Sequence, residues 1–400
     1  MRRRVTVPTD PPAAALPLDF PLRVLHAIAP ARTGGAERVL VQLAAAQRDR
    51  GHAVHVFLSL DPLDATDHPV SQALQDAGIA VTVAAVGGRA YGAERQSFRA
   101  VLQGVEPSVV HAHGYRADLV DLPVARRRGI ACVSSFHGFT GGGWRNAINE
   151  WLQLRAARRL DAAIAVADSV AHRLVAAGVP QDVLHLIPNA IAPARAALSR
   201  DDARAMLGLP PDVPAVGWIG RLSHEKGPDL MIDALVAAPS LHLAIVGDGP
   251  ATDDARLRAR DRGVAERVTF CGAIPDAARL LAAFDLVALS SRTEGTPMSL
   301  LEAMQARCPV VAFAVGGIPN ALGDTGVLVP AGDAAALGAA LHALGGDPAR
   351  RKALAAAAAT RAAEHFGLPQ WLDAHDRAYH SALAHRGLPH DGGASILSSG

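Results

Sequence analysis

Short apolar runs recur along the chain, separated by longer stretches in which apolar positions return every three or four residues. Leu22 to Ala29, Ala53 to Leu60, Ile79 to Val86 and Ser108 to Ala112 are apolar enough to be strands buried on both faces. Helical periodicity fills Ala36 to Arg50 and the region of Glu94 to Gly104. Strand followed by helix, repeated, predicts a parallel sheet. The alternation continues through Ile130 to Phe136 and Ala162 to Ala167, then pauses at Ile187 to Pro193, where a linker fits. A second set follows: Ala215 to Ile219, Leu241 to Val246, Arg267 to Phe270, Leu286 to Leu289, Val310 to Phe313 and Gly326 to Val329, interleaved with Ala- and Leu-rich helical segments. The expectation is an α/β chain of two doubly wound domains, residues 22–190 and 191–368. The Pro-, Gly- and Ser-rich ends, 1–21 and 386–400, are expected to be poorly ordered.

Composition narrows the function. Half of the 400 residues are hydrophobic and 19% are charged, which suits folded domains with sizeable cores. A net charge of +1 is too balanced for a protein whose affinity rests on neutralising many phosphates, so nucleic acid is not expected as a partner. Three scattered cysteines, Cys132, Cys271 and Cys308, make neither a C-x-x-C pair nor a disulfide framework, which points to a reducing compartment. With no signal-peptide core at the start and no apolar run long enough to span a bilayer, the expected location is the cytoplasm.

Ligands of doubly wound sheets sit beyond the carboxyl ends of the strands, so the loops there carry the chemistry. After Leu286 to Leu289 comes Glu294-Gly295-Thr296-Pro297-Met298-Ser299-Leu300-Leu301-Glu302. Pro297 suits the first helical position and Thr296 a cap, placing Glu294 in the loop and Glu302 more than a turn into a helix. Free N–H groups at that helix start favour phosphate, and carboxylates accept hydrogen bonds from sugar hydroxyls. The plain alternative is a loop glutamate and a solvated helical one. After Ala215 to Ile219 comes Gly220-Arg221-Leu222-Ser223-His224-Glu225-Lys226-Gly227, whose two cations could clamp a diphosphate. The chain has only two lysines, Lys226 and Lys352, against many arginines, which singles out Lys226. Gly34-Gly35 after the first strand permits close backbone approach, though glycines also simply make such turns. Gly247-Asp248-Gly249-Pro250 reads as a strand-ending turn. His111 and His113 share one strand face and His137 ends another strand. Without a third ligand at recognisable spacing they read as hydrogen-bonding histidines, and no metal site is expected.

Together, Gly34-Gly35-Ala36-Glu37, Phe136-His137-Gly138, Ile187-Pro188-Asn189, Gly220-Arg221-Leu222, Glu225-Lys226-Gly227, Val246-Gly247-Asp248-Gly249-Pro250 and the Glu294/Glu302 pair resemble glycosyltransferase family 4, over Leu22 to about His385. The resemblance implies the GT-B fold: two Rossmann-like domains, an N-terminal acceptor domain and a C-terminal nucleotide-sugar donor domain, facing across a cleft, with a final helix, Pro369 to His385 here, crossing back to the first. It also implies roles. Arg221 and Lys226 would hold the donor diphosphate, Glu302 the ribose hydroxyls, Glu294 the donor sugar, and the amides of Gly295, Thr296, Pro297–Met298 and Ser299 the phosphate and sugar. Gly35 would approach the diphosphate from the other domain, His137 would lie near the donor sugar, and Ala273 and Ile274 by the nucleobase. Thr296-Pro297 stands where one common form of the motif has Phe-Gly.

The implied activity is retaining transfer of a hexosyl group from a nucleoside-diphosphate sugar to an acceptor hydroxyl, in exopolysaccharide, lipopolysaccharide or glycolipid assembly. The sequence contains no D-x-D triplet, so no metal or other cofactor is expected. Front-face attack and a covalent intermediate on Glu294 both remain open. A sugar or lipid-linked glycan is the expected acceptor. Residues 1–190 carry 20 Lys and Arg against 16 Asp and Glu, the remainder 19 against 22. Trp144 to Leu160 reads either as a basic amphipathic helix for an anionic membrane surface or as a helix packed on the sheet with its arginines in water. A nucleotide-sugar epimerase or hydrolase on the same fold and a catalytically silent binding module are the alternatives. An NAD enzyme lacks its G-x-G-x-x-G fingerprint here.

Overall fold

The computed structural model describes residues 21–32, 34–139, 144–193 and 196–388. Most of both expected tails, and Thr33 of the first glycine loop, lie outside the described residues. The chain forms two compact units, one of residues up to Pro188 together with those from Pro369 onward, the other Asn189–Leu368.

The first unit holds a seven-stranded parallel sheet: β1 (Arg23–Ile28), β2 (Ala53–Leu60), β3 (Ala80–Ala85), β4 (Val109–His113), β5 (Ala131–Phe136), β6 (Ala162–Ala165) and β7 (Leu184–Leu186), in the order β3-β2-β1-β4-β5-β6-β7. Strands β4, β5 and β6 are buried at every position, as a sheet covered by helices on both faces requires. β7 is a three-residue edge strand, half-buried and centred on His185, with no apolar run to announce it. The helix Leu368–His385 belongs to this unit and buries Trp371, His375, Tyr379 and Leu383 in it. Arg386, where a disordered tail was expected to begin, donates from Nε to Asp161 Oδ2 at 2.8 Å.

The second unit repeats the plan with six parallel strands: β8 (Ala215–Ile219), β9 (His242–Val246), β10 (Val268–Gly272), β11 (Leu286–Leu289), β12 (Val310–Phe313) and β13 (Val327–Val329), ordered β10-β9-β8-β11-β12-β13. In each sheet the winding reverses beside the unit's first strand, between β1 and β4 and between β8 and β11. The loops leaving those strands diverge there and open a crevice at their carboxyl ends.

One local expectation needs correcting. The helix after β11 is Met298–Gln305, with Pro297 extended in the cap position at φ −70° and ψ 132° and no side-chain cap bond. Pro297 therefore precedes the first turn instead of opening it, and Thr296 does not act as the cap.

Candidate active site

In the second unit the reversal point is framed by the loop after β8, residues 220–227, and the loop after β11, residues 290–297. Backbone-to-backbone packing fixes the first. Gly220 N donates to Val246 O at 3.1 Å and Leu222 N to Asp248 O at 3.0 Å. A Cβ on Gly247 would fall 1.9 Å from Gly220 O, and one on Gly249 2.3 Å from Leu222 O. The Gly247-Asp248-Gly249 segment is thus more than a turn: it is the wall against which the Arg221 loop is laid, leaving Arg221 itself exposed.

The two loops are then stitched together. Ser290 Oγ accepts from Trp218 Nε1 at 2.9 Å and donates to Gly227 O at 2.7 Å. Arg292 donates from its backbone N to Glu225 O at 2.7 Å, and its guanidinium reaches His224 O and both oxygens of Asp229. Burial alone would raise the Asp229 carboxyl, but the Arg292 hydrogen bonds outweigh it and hold that pKa below its ordinary value. Between these anchors Lys226 Nζ lies 2.6 Å from Oε1 and 2.8 Å from Oε2 of Glu294, and Ser291 Oγ donates to Oε1 at 2.7 Å. The Glu294 side chain is 7% exposed and that of Lys226 31%, so the carboxylate is sequestered while the ammonium keeps a face to solvent.

Backbone of Glu294 and Gly295 is held from behind. Gly316 adopts φ +57°, and a Cβ there would sit 1.8 Å from Glu294 O. Gly317 N donates to Gly295 O at 2.9 Å, and Asn189 Nδ2 to Thr296 O at 2.7 Å. Gly295, Thr296, Pro297 and Met298 are buried and Ser299 is half-buried. Glu302, in the second turn of the helix, is 4% exposed and so is no solvated helical residue. Ile274, just past β10, is half-buried. Arg221, Lys226 and Glu294 to Glu302 are therefore gathered at one end of one sheet. Ser290, Ser291, Arg292, Asp229 and Gly316 hold them there and were not singled out from the sequence. Ser291 and Arg292 could have been, since they lie in the strand-end loop already marked by Glu294.

Gly35 and His137 belong to the first unit, after β1 and β5. Gly35 is exposed, and a Cβ there would touch nothing within 4 Å, so the fold itself places no demand for glycine at that position. His137 Nε2 lies 3.2 Å from His113 Nδ1. His113 Nε2 lies 3.0 Å from His26 Nδ1, and His26 Nε2 2.8 Å from Gln47 Oε1. His111 contacts Tyr379 Oη and Ser135 Oγ at 2.8 Å each. Register explains the grouping: His26 on β1 is the lateral neighbour of His111 on β4, and His113 follows on the same face. His26, His111 and His113 are close enough to surround a cation. Yet all six of their ring nitrogens have hydrogen-bond partners and no carboxylate is among those partners, which describes a neutral network better than a metal cage.

Residues 33–195 match the model described as Glycosyltransferase Family 4, and residues 213–347 that of Glycosyl transferases group 1. The D-inositol 3-phosphate glycosyltransferase 1 of Catenulispora acidiphila is 35% identical over 319 residues, covering 70% of this chain and 74% of that protein. This chain belongs to glycosyltransferase family 4. A 2-deoxystreptamine N-acetyl-D-glucosaminyltransferase of Streptomyces fradiae is 35% identical over 205 residues, 48% of this glycosyltransferase and 48% of that one, so here the match spans about half the relative's length. Among solved structures, Anabaena HepE in complex with UDP-glucose superposes with a TM-score of 0.77 at 24% identity, over 90% of this chain and 99% of that one. The likeness shows the fold to be GT-B.

Proposed function

We propose that this family 4 glycosyltransferase moves a hexosyl group, with retention at the anomeric carbon, from a nucleoside-diphosphate sugar to an acceptor hydroxyl without a metal ion. The observation that carries the reading is the Lys226–Glu294 pair, set at the reversal point of the donor-side sheet, after Arg221 and ahead of the helix Met298–Gln305. As the anomeric bond breaks, negative charge grows on the diphosphate. An ammonium has three N–H donors, and Glu294 engages two of them, so one remains for a phosphate oxygen. Together with Arg221 and the amides from Gly295 to Ser299 it supplies fixed positive charge where the leaving group forms, the task a metal ion performs elsewhere.

The same pair bears on Glu294. Lys226 donates to both oxygens and Ser291 to one of them, so three of the four acceptor positions are taken and the charge is neutralised, with one position left for a donor hydroxyl. That supports a carboxylate that orients donor hydroxyls over one that attacks carbon, and so front-face substitution over a glycosyl-enzyme. Glu302 is taken to hold the ribose, Ile274 to lie by the base, Gly35 to contact the diphosphate and His137 the sugar. Because HepE binds UDP-glucose, a uridine diphosphate sugar is the first donor to test.

For the acceptor two observations pull apart. The relatives are named for a cyclitol, inositol phosphate or deoxystreptamine, which favours a small polyhydroxylated ring. The helix Trp144–Ala157 instead exposes Trp144, Ile148, Trp151 and Leu152 and buries its other side at Gln153 and Ala157, which favours a lipid-linked acceptor on an anionic, cytoplasmic membrane surface. Among the described residues no helix is long and apolar enough to cross a membrane, so such contact would be peripheral. Relatives named as transferases do not favour the epimerase, hydrolase or silent-module readings. Thermal-shift screening with UDP, GDP and ADP and their sugar conjugates, followed by product analysis on a panel of cyclitol and lipid-linked acceptors, tests the proposal. Stabilisation by one nucleotide series and an α-linked product are expected; sugar release to water with every acceptor would overturn it.

A further inference from the structure

Four histidines of the first unit belong to one continuous hydrogen-bonded chain: Ser135, His111, Tyr379, Gln47, His26, His113 and His137. Burial holds His26 and His137 down at about 4, and His111 and His113 well below their ordinary value. At neutral pH each ring is therefore uncharged and has one N–H donor and one bare nitrogen. In such a chain every proton position constrains the next. Gln47 Nε2 donates to Tyr379 Oη at 2.7 Å, which turns Oε1 toward His26 Nε2. His26 must then carry its proton on Nε2 and accept at Nδ1 from His113 Nε2. His113 in turn accepts at Nδ1 from His137 Nε2. Along the other arm the Tyr379 hydroxyl donates to His111 Nδ1, and His111 Nε2 donates to Ser135 Oγ.

The chain ends at His137 Nδ1, which is buried and has no hydrogen-bond partner among the described residues. A buried acceptor without a donor is costly unless a ligand completes it. Reversing the polarity would require the Gln47 amide to turn over and every ring to exchange its proton, after which His137 would present a donor instead.

We propose that Gln47 is a positioning residue: through His26 and His113 its amide sets the tautomer of His137, so that an unprotonated Nδ1 is presented to accept a hydrogen bond from a substrate hydroxyl. This rests on the reading that His137 meets the donor sugar. Nothing in it requires a metal, and it gives the buried His26, Gln47 and Tyr379 a role in the reaction although none need touch substrate.

The test is imidazole 15N–1H correlation on the labelled full chain, with the His137 signals assigned by their loss in His137→Asn. Wild-type enzyme is expected to show the Nε2–H tautomer at His137. Gln47→Leu removes the acceptor that keeps the His26 proton on Nε2, and Tyr379→Phe removes the partner that orients the amide. Each should bring up the Nδ1–H form and lower kcat about tenfold, the scale of one misplaced neutral hydrogen bond, with UDP affinity unchanged. His375→Gln, adjacent to the chain but outside it, should move neither quantity. Should Gln47→Leu fail to fold, Tyr379→Phe carries the test alone. An Nδ1–H tautomer in the wild type, or a tautomer unmoved by these variants, overturns the proposal. A moved tautomer with unchanged kcat would leave the hydrogen-bonded chain standing and overturn its part in turnover, and with it the contact of His137 with sugar.

Discussion

Lys226 and Glu294, 68 positions apart in the chain, meet with Nζ at 2.6 and 2.8 Å from the two carboxylate oxygens at the strand-order reversal of the second sheet. On the proposed reading the pair serves the fold and the chemistry at once. Lys226→Ala leaves a carboxylate that is 7% exposed without its counter-charge, while the ammonium it loses is only partly buried. The stability loss should therefore fall short of the ~3–5 kcal/mol typical of a fully buried pair. The effect on turnover should be larger, a fall in kcat of about 10²- to 10³-fold, because the lost charge acts on the leaving diphosphate. Glu294→Gln keeps the shape and should lower kcat with little change in melting temperature. Steady-state kinetics beside thermal melts check both, and full activity in either variant would remove this pair from the mechanism.

If Arg221, Lys226 and the amides after Gly295 neutralise the leaving group, divalent ions have no task. Turnover after exhaustive treatment with a chelator should match that of untreated enzyme, and added Mg²⁺ or Mn²⁺ should not raise it. Activity abolished by chelation and restored by one of these ions would refute the metal-free reading.

Much of the fold was legible because parallel strands buried on both faces declare themselves as apolar runs. Ala53–Leu60, Ala215–Ile219, Leu286–Leu289 and Val310–Phe313 begin and end where the runs do. Leu184–Leu186 did not, being short, half-buried and interrupted by His185. At the site, Lys226 was legible from scarcity and Glu294 from its place after a strand. What holds them was not, because Ser290 and Arg292 act on backbone carbonyls more than sixty positions away, which no local pattern encodes. For Glu302 the sequence allows either ligand contact or a solvated helical position, and burial excludes the second. The histidine chain left one faint signal: His26, a polar residue at 0% exposure, sits inside the apolar run of β1.

Two glycines separate structural need from ligand need. Gly316→Ala puts a side chain at positive φ and 1.8 Å from the Glu294 carbonyl, so it should destabilise the protein by about 2 kcal/mol or more. Gly35→Ala meets nothing and should leave the melting temperature unchanged. If Gly35 is where a diphosphate approaches, kcat/KM for the donor should nevertheless drop about tenfold or more. Thermal melts with and without UDP decide the matter: wild-type behaviour of Gly35→Ala in both assays would show that glycine simply makes the turn.

Acid should weaken the first unit well above the carboxylate range. His26, His137 and His375 are held at about 4 chiefly by burial, against about 6.5 in an unfolded chain. As pH falls through 6.5 the unfolded chain takes up protons that the folded rings refuse, so stability present above 6.5 is lost on the way down to 4, at up to about 1.4 kcal/mol per pH unit for each ring. Asp118 works the other way: burial raises its carboxyl to about 6, so folding gains from its proton as pH falls from 6 toward 4. Burial also holds His111 and His113 well below their ordinary value and Asp121 well above its own, so five rings against two carboxyls leave a net loss. Melting temperature should decline steadily from pH 7 to pH 4.5, and His375→Gln should make that decline shallower. A flat profile across this window would mean that the buried rings are charged.

The exposed side of Trp144–Ala157 favours contact with an anionic lipid surface. Trp144 is 70% exposed, Trp151 60% and Ile148 48%, spaced to lie along one side of the helix, while Gln153 and Ala157 face inward. A helix packed by its apolar side would show the reverse. Arg155 stands with its guanidinium 5.8 Å from the Trp151 ring, adding positive charge beside the exposed aromatic. Arg158 donates instead to the Ala177 carbonyl, which makes it the poorer probe of lipid attraction. The chain should float with vesicles containing anionic lipid and not with neutral ones, and Trp151→Glu or Arg155→Glu should each release it without lowering turnover on a water-soluble acceptor. Flotation with neither vesicle would leave the cyclitol acceptor as the favoured reading, since a lipid-linked substrate has to be met at the surface that holds it.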